Sequence, residues 1–304
     1  MLATGRQVLH KANLGHYAVG AFNINNLEFL QAVMNAAQRM KSPVIISTSE
    51  GAINYAGVDY LEAMVYTASE LVKVPVVLHL DHGKDLNIIK RCIQGGYTSV
   101  MIDASHYDLE KNIAITRKVV NMAHDKGVSV EAELGTIGGV EESVKSRNII
   151  YTDPDAAVEF VRKTKINSLA VAIGTSHGAY KFAGKAKLNL DILKEIKQRL
   201  GMPLVLHGAS GVPKSLVEKA KKCGVRIGPA EGVPDDQIMK AVKLGINKIN
   251  TDTDLRLSFT ASLRETLKKH PEEFDPRHYL GPARDYVQKI VEHRMQVFGS
   301  RGKA

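Results

Sequence analysis

Short apolar runs recur along the chain, each ending in a polar tip and followed by a stretch with helical spacing. The runs are Ala18–Asn23, Pro43–Ser49, Pro75–Asp81, Ser99–Ser105, Ser129–Gly135, Leu169–Gly174, Pro203–Ser210 and Gly245–Asp252. They are rich in Val and Ile, and several are apolar at consecutive positions, as parallel strands covered on both faces should be. Between them lie amphipathic patterns that predict helices over Asn26–Met40, Val58–Val72, Leu109–Lys126, Pro154–Thr164, Leu190–Leu200, Pro213–Cys223 and Asp235–Lys243. Asn25 followed by Glu28 has the form of a capping box, and Pro154 and Pro213 suit first helical turns. Strands alternating with helices predict an α/β fold with a parallel sheet. Their number favours a single (β/α)8 TIM barrel over a doubly wound sheet, with residues 1–304 as one domain.

Two segments depart from the pattern. Gly135–Tyr151 is long and weakly periodic, and reads as a mobile loop of the kind that forms lids. After Asp254 the chain is mostly helical, with a break over Pro271–Pro282 before a last helix. These extra C-terminal helices exceed what a barrel needs and would cover one end or build an oligomer contact.

In such a barrel the chemistry gathers at the carboxyl ends of the strands. His82, His177 and His207 each stand at a tip and are each followed by Gly. Three neutral imidazoles bind zinc and leave a fourth position open, the arrangement of catalytic sites. His79, two residues before Asp81, would point inward or pack, and His106 stays ambiguous. Asp81, beside a ligand candidate, sits where a general acid/base belongs, the alternative being a carboxylate that orients an imidazole. Asp103 and Glu133 at neighbouring tips are open as orienting groups, alternate ligands or a second cation site. Gly178 with Lys181, Gly208 with Ser210, and Asn250 to Thr253 bring N–H groups, hydroxyls and a cation to the last strands, where barrels often hold phosphate.

Composition narrows the classes. Forty-one Lys and Arg against 32 Asp and Glu give +9, a balance that suits a small anionic substrate, nucleic acid or a membrane surface. The basic residues are dispersed, and the densest cluster, Lys219–Lys222, falls on a helical pattern as a solvated face, so neither nucleic acid nor membrane is expected as a partner. No apolar run is long enough to span a bilayer, and Met1–Lys11 lacks the pattern of a signal peptide. Cys92 and Cys223 are the only cysteines, which argues against a disulfide framework and makes a cytoplasmic setting the expectation.

Taken together, His79–Gly83, Glu131–Gly135, Gly174–Gly178, His207–Ser210 and Asn250–Asp254 resemble the class II, zinc-dependent fructose-1,6-bisphosphate aldolases. The resemblance runs from Gly20-Ala21-Phe22-Asn23 to Asp275-Pro276-Arg277, and its motifs are specific as a set. It implies reversible cleavage of the hexose bisphosphate to dihydroxyacetone phosphate and glyceraldehyde 3-phosphate. By resemblance, His82, His177 and His207 hold Zn2+, and Asp81 takes the proton of the C4 hydroxyl. Glu141 moves the proton at C3, with Glu142 beside it as a competitor for that role. Asn250 contacts the enediolate, and Asn23 and Ser49 line the sugar. Gly178, Lys181, Gly208, Ser210 and Thr253 match the C1-phosphate site, with a monovalent cation (Na+ or K+) near Ser176, Gly178 and Gly208. Asp252 would hydrogen-bond near C4, and Arg256 and Arg277 would hold the C6 phosphate, Arg277 from a neighbouring subunit. The family implies a homodimer or homotetramer.

Alternatives stay open at this point. Tagatose-1,6-bisphosphate aldolases share the zinc site, and Asp252 and Arg256 favour the fructose substrate. A TIM-barrel zinc hydrolase would activate water instead, but the common ones carry His-x-His after the first strand, where this chain has Phe22-Asn23. Lys248 is the lysine that would compete as a Schiff-base nucleophile, although its depth suits pairing with an interior carboxylate.

Overall fold

The computed structural model describes residues 2–141, 144–146, 150–177, 188–228 and 231–304, with backbone alone for 138–141, 144–146 and 177. Parallel strands β1 (Val19–Asn23), β2 (Val44–Ser49), β3 (Val76–Gly83), β4 (Ser99–Ile102), β5 (Ser129–Leu134), β6 (Ser168–Val171), β7 (Leu204–Leu206) and β8 (Ile246–Thr251) close into a barrel. The eight apolar runs therefore form its staves, and β8 returns to β1 with Ala21 opposite Asn250. Among the described residues no helix is long and apolar enough to cross a membrane.

Helices Pro154–Thr164, Leu190–Leu200 and Asp235–Lys243 have the bounds the periodicity predicts. The capping residue of Leu27–Met40 is Asn26 rather than Asn25: its side chain accepts the Phe29 N–H at 3.1 Å. Helices Gly5–Leu14, Glu50–Ala56 and Leu86–Gln94 are additional to the sequence pattern. The expected loop over 135–151 contains a hairpin, Gly138–Glu141 against Val144–Ser146, whose first strand also pairs in parallel with Ser176–His177. That pairing is non-local, so local periodicity does not reveal it.

The C-terminal helix spans Pro276–Val297, so the expected break to Pro282 ends six residues early. Asp275 caps it, Pro276 takes the first helical position, and Pro282 sits inside its second turn. The helix continues through Pro282 because Ala283, Val287, Val291 and Met295, four residues apart, are buried against helices Leu27–Met40 and Thr253–Lys269. That packing outweighs the one lost backbone bond.

The barrel interior is graded. At the amino end of the strands, Val19, Ala21, Ile45 and Val77 pack against Val8, Leu9 and Ala12 of helix Gly5–Leu14, which closes that end. Met101, Ala170 and Val205 form a second apolar group. Toward the carboxyl ends the filling becomes polar: Asn23, His79, Asp81, Glu131, Glu133, His207, Lys248 and Asn250 are all buried. Polar and charged groups buried at this end must be paired with one another, because unpaired burial of such groups is costly.

Candidate active site

The centre is built at the end of β3. In a regular strand Asp81 and His82 would face opposite sides. Leu80 pairs with Val100 and Gly83 with Ile102, so three steps along β3 match two along β4. This bulge, with His82 at φ +48°, turns the imidazole to the same mouth as the Asp81 carboxylate.

Asp81 is held from both sides. Asn23 Nδ2 donates to Oδ2 at 2.8 Å, and Asn250 Nδ2 donates to Oδ1 at 2.9 Å. Burial works to raise its pKa, but His82, His207, Lys248 and the Asn23 bond together hold it below the usual value. Asp81 is thus kept as an oriented carboxylate, which is what a proton acceptor requires.

His82 lies edge-on to His207, ring centroids 4.5 Å apart, and its Nδ1 is 3.3 Å from Asp103 Oδ2. Burial lowers its pKa, yet Asp81, Asp103 and Glu133 outweigh burial and push it up to about 10. Asp103 goes the other way: burial is overcome by its bonds to His82 and Ser105, and the carboxyl stays well below the usual range. Glu133 is raised well above it by burial, with Asp103 nearby adding to the shift. Ligand atoms of Asp81, His82 and His207 lie within 4.8 Å of one another, as do those of His82, Asp103 and Glu133. Glu133 Oε2 is buried with no hydrogen-bond partner among the described residues. A mixed imidazole–carboxylate set that holds a proton so tightly, with a carboxylate oxygen to spare, fits a divalent cation.

Beneath this centre runs a column the sequence only partly disclosed. Glu131 Oε1 lies 2.7 Å from His207 Nε2, and Lys248 Nζ donates to both Glu131 oxygens at 3.0 and 2.9 Å. Lys248 Nζ is also 3.3 Å from His79 Nε2, and His79 Nδ1 is 2.8 Å from Ser99 Oγ. Burial first, then Lys248, hold His79 neutral, its pKa well below the ordinary value. His79 thus points inward, and Lys248 is paired with an interior carboxylate, as its depth suggested. The alternation of Glu131 and Glu133 on one strand face was the available sign that both face inward.

The polar tips of β7 and β8 meet next to the centre. Gly208 has φ +62°, and a Cβ there would stand 2.8 Å from the Ser176 carbonyl oxygen, so the chain segments approach as only glycine permits. Ser210 is buried, with its Oγ 3.4 Å from the Asp252 N–H that points to it. Thr253 opens helix Thr253–Lys269, and Arg256 Nε donates to Asp252 Oδ1 at 2.8 Å. Ser49, level with Asp81 in the β2–β3 register, caps the next helix through the Ala52 N–H. Asn23, Ser49, Asp81, His82, Asp103, Glu133, His207, Gly208, Ser210, Asn250, Asp252, Thr253 and Arg256 therefore gather at strand ends on one face of the barrel.

Arg277 and His106 stand apart from them. Arg277 sits in the exposed first turn of the C-terminal helix with its guanidinium on Asp275. His106 is exposed and stacks on Tyr107. The backbone of His177 pairs with Gly139 in the strand that ends at Glu141. The side chains of His177 and Glu141 lie outside the described residues, as do Glu142, Gly178 and Lys181 entirely.

A closed parallel barrel with histidines and carboxylates clustered at its carboxyl mouth has the layout of a barrel enzyme with a candidate metal centre. Comparison with known proteins supplies the family. The family model "Fructose-bisphosphate aldolase class-II" matches residues 3–227 and 229–303. The fructose-bisphosphate aldolase of Thermus caldophilus is 51% identical over 100% of both chains, and that of Giardia intestinalis 46% identical over 100% of this chain and 94% of its own. Among solved structures, the YdjI aldolase from Escherichia coli K12 superposes with a TM-score of 0.81 at 34% identity, covering 100% of both chains. The chain belongs to the class-II fructose-bisphosphate aldolases and is an enzyme, a carbon–carbon lyase.

Proposed function

We propose that the carboxyl mouth of the barrel is the aldol centre, cleaving D-fructose 1,6-bisphosphate reversibly into dihydroxyacetone phosphate and D-glyceraldehyde 3-phosphate. His82 and His207, with His177, hold Zn2+, while Asp103 and Glu133 form an alternate or second position. A zinc ion bound there supplies Lewis-acid stabilisation of the charge that develops at C2 when C3–C4 breaks. Asp81 accepts the C4 hydroxyl proton as the bond breaks and returns it in the condensation direction. Asn250 and Asn23 fix the Asp81 carboxylate, and Asn250 keeps a buried Oδ1 without a hydrogen-bond partner among the described residues, available to a substrate hydroxyl. Glu141, or its neighbour Glu142, moves the proton at C3.

Ser49 lines the sugar. Gly208, Ser210 and Thr253, with Gly178 and Lys181, hold the C1 phosphate, beside a Na+ or K+ ion. Asp252 and Arg256 receive the C4–C6 end, with Arg277 of a second subunit completing the C6-phosphate clamp. Exposure of Arg277 in the single chain is compatible with such a role in a homodimer or homotetramer. The reading places one catalytic domain over 1–304 in cytoplasmic glycolysis and gluconeogenesis.

One observation carries the proposal: a carboxylate fixed by two amides on the same face as two imidazoles that share its 4.8 Å cluster. Coupled assays of fructose and tagatose 1,6-bisphosphates, before and after chelation and with zinc added back, test it. The expected result is fructose-selective activity that chelation abolishes and zinc restores. Activity that survives chelation overturns the metal reading, and a tagatose preference overturns the substrate.

A further inference from the structure

A second charged knot lies behind the turn that follows β7, outside the groups assigned above. Val212 adopts φ +38°, a conformation that a β-branched residue takes only under constraint. The constraint is visible. Asp254, wholly buried, accepts the Gly211 N–H through Oδ2 at 3.1 Å and the Val212 N–H through Oδ1 at 2.7 Å. Arg294, 1% exposed in the C-terminal helix, donates from Nε to Asp254 Oδ2 at 3.0 Å and from Nη1 to Asp235 Oδ1 at 2.6 Å. Its guanidinium also lies so close to Gly211 that a Cβ there would collide with it. On the far side a Cβ at Gly232 would collide with the Ser210 carbonyl and the Gly211 backbone, and the Val233 N–H donates to that same carbonyl at 3.2 Å.

The turn 208–212 is thus clamped between a buried ion pair and residues 232–233. The pair also fixes the segment after β8, because Asp254 directly follows Asp252 and Thr253. A buried arginine–carboxylate pair is not needed for stability, since apolar replacements of similar volume often serve as well. Its geometry, one guanidinium bridging Asp254 and Asp235 while Asp254 takes two successive backbone N–H groups, instead suits a task in which backbone position matters.

We propose that Arg294 and Asp254 are positioning residues that preset the two phosphate-binding segments, 208–212 and 252–254, so that the C-terminal helix sets the affinity for the C1 phosphate. The inference rests on the reading that Gly208, Ser210 and Thr253 hold that phosphate. Neither residue touches substrate; both act through backbone N–H groups and a strained turn. Correct placement is worth much, since misplacing a binding group by about 1 Å can cost on the order of a hundredfold.

The test compares Arg294→Lys, which keeps the charge but not the fork, with Asp254→Asn, Ser210→Ala and the paired change Arg294→Met/Asp254→Asn. Each is measured for KM, kcat, inhibition by inorganic phosphate, bound zinc and melting temperature. The expected result for Arg294→Lys is KM and the phosphate inhibition constant rising together, about tenfold or more, with kcat within about threefold and zinc content unchanged. Asp254→Asn should move the same two constants further, because one N–H loses its acceptor. The neutral pair, built to retain the fold, should show the same split if Asp254→Asn alone does not fold. Unchanged phosphate inhibition in Arg294→Lys and the neutral pair, with Ser210→Ala weakened, overturns the positioning role alone. Unchanged inhibition in Ser210→Ala overturns the phosphate reading beneath it. A fall in kcat or melting temperature with both constants intact assigns the pair a merely structural role and also overturns the proposal.

Discussion

Replacing Lys248 by Met removes one half of the ion pair beneath the histidine–carboxylate cluster. The Lys248 and Glu131 side chains are 1% and 2% exposed, and Nζ contacts both carboxylate oxygens at 3.0 and 2.9 Å. At an effective dielectric constant of about 20, unit charges about 3 Å apart attract by roughly 5 kcal/mol. Removing the lysine leaves the buried Glu131 carboxylate on its His207 contact without its cation, and breaking a buried pair from one side costs about 3–5 kcal/mol. For a chain of 304 residues that is a fall of about 5–8 °C in melting temperature. The companion change Glu131→Gln, combined with Lys248→Met, removes both charges and should recover most of the loss, because a neutral pair strands nothing. Urea unfolding of the four proteins of this cycle, at saturating zinc so that metal linkage is constant, gives the coupling energy. Borohydride treatment of the parent with substrate present checks the competing Schiff-base role, and the ion-pair reading expects no trapping. A Lys248→Met protein with the parent's midpoint would refute the argument, and so would substrate-dependent trapping at Lys248.

On the proposed mechanism Asp81→Asn should lower kcat by about 10²–10⁴ with metal content retained, since the amide cannot accept the C4 hydroxyl proton; steady-state kinetics with metal analysis checks this. Gly208→Ala forces a Cβ toward the Ser176 carbonyl at a left-handed φ and should cost about 1–3 kcal/mol in a melting assay, with substrate affinity reduced as well. Lys197 Nζ donates to Met202 O and Asn247 Oδ1 at 2.8 Å each, and burial lowers its pKa to about 8. Its unfolded value is about 10.4, so between these values the unfolded chain binds more protons and stability rises with pH. The difference in melting temperature between parent and Lys197→Met should therefore change between pH 7.5 and 10 in the parent's favour, and a pH-independent difference would refute it.

The eight barrel strands could be read from the sequence because they recur as short, mostly apolar runs that end in a polar tip, and burial on both faces leaves little freedom in composition. Asp81, His82 and His207 could be placed at the barrel mouth because each stands at a strand tip. What stayed hidden depends on partners far along the chain. The periodicity of β3 puts Asp81 and His82 on opposite faces, and the bulge opposite β4 is what brings them together. Arg294 has the spacing of an ordinary helical residue, and its partner Asp254 lies on another helix. Helix Gly5–Leu14 offers a narrow apolar stripe of Val8, Leu9 and Ala12, whose meaning appears only once the barrel has an end to close. Glu131 and Lys248 are separable as partners only in three dimensions, since many acid–base pairs along a chain have compatible strand depth.

That closed end also governs traffic. Val8, Leu9 and Ala12 form an aliphatic floor with Val19, Ala21, Ile45 and Val77, so the amino end of the strands offers a charged ligand no polar lining among these residues. The polar side chains stand at the opposite end, and substrate and products meet the barrel there. The apolar floor thus leaves one face of the barrel to carry recognition and release together, so a change in either acts on the same set of side chains.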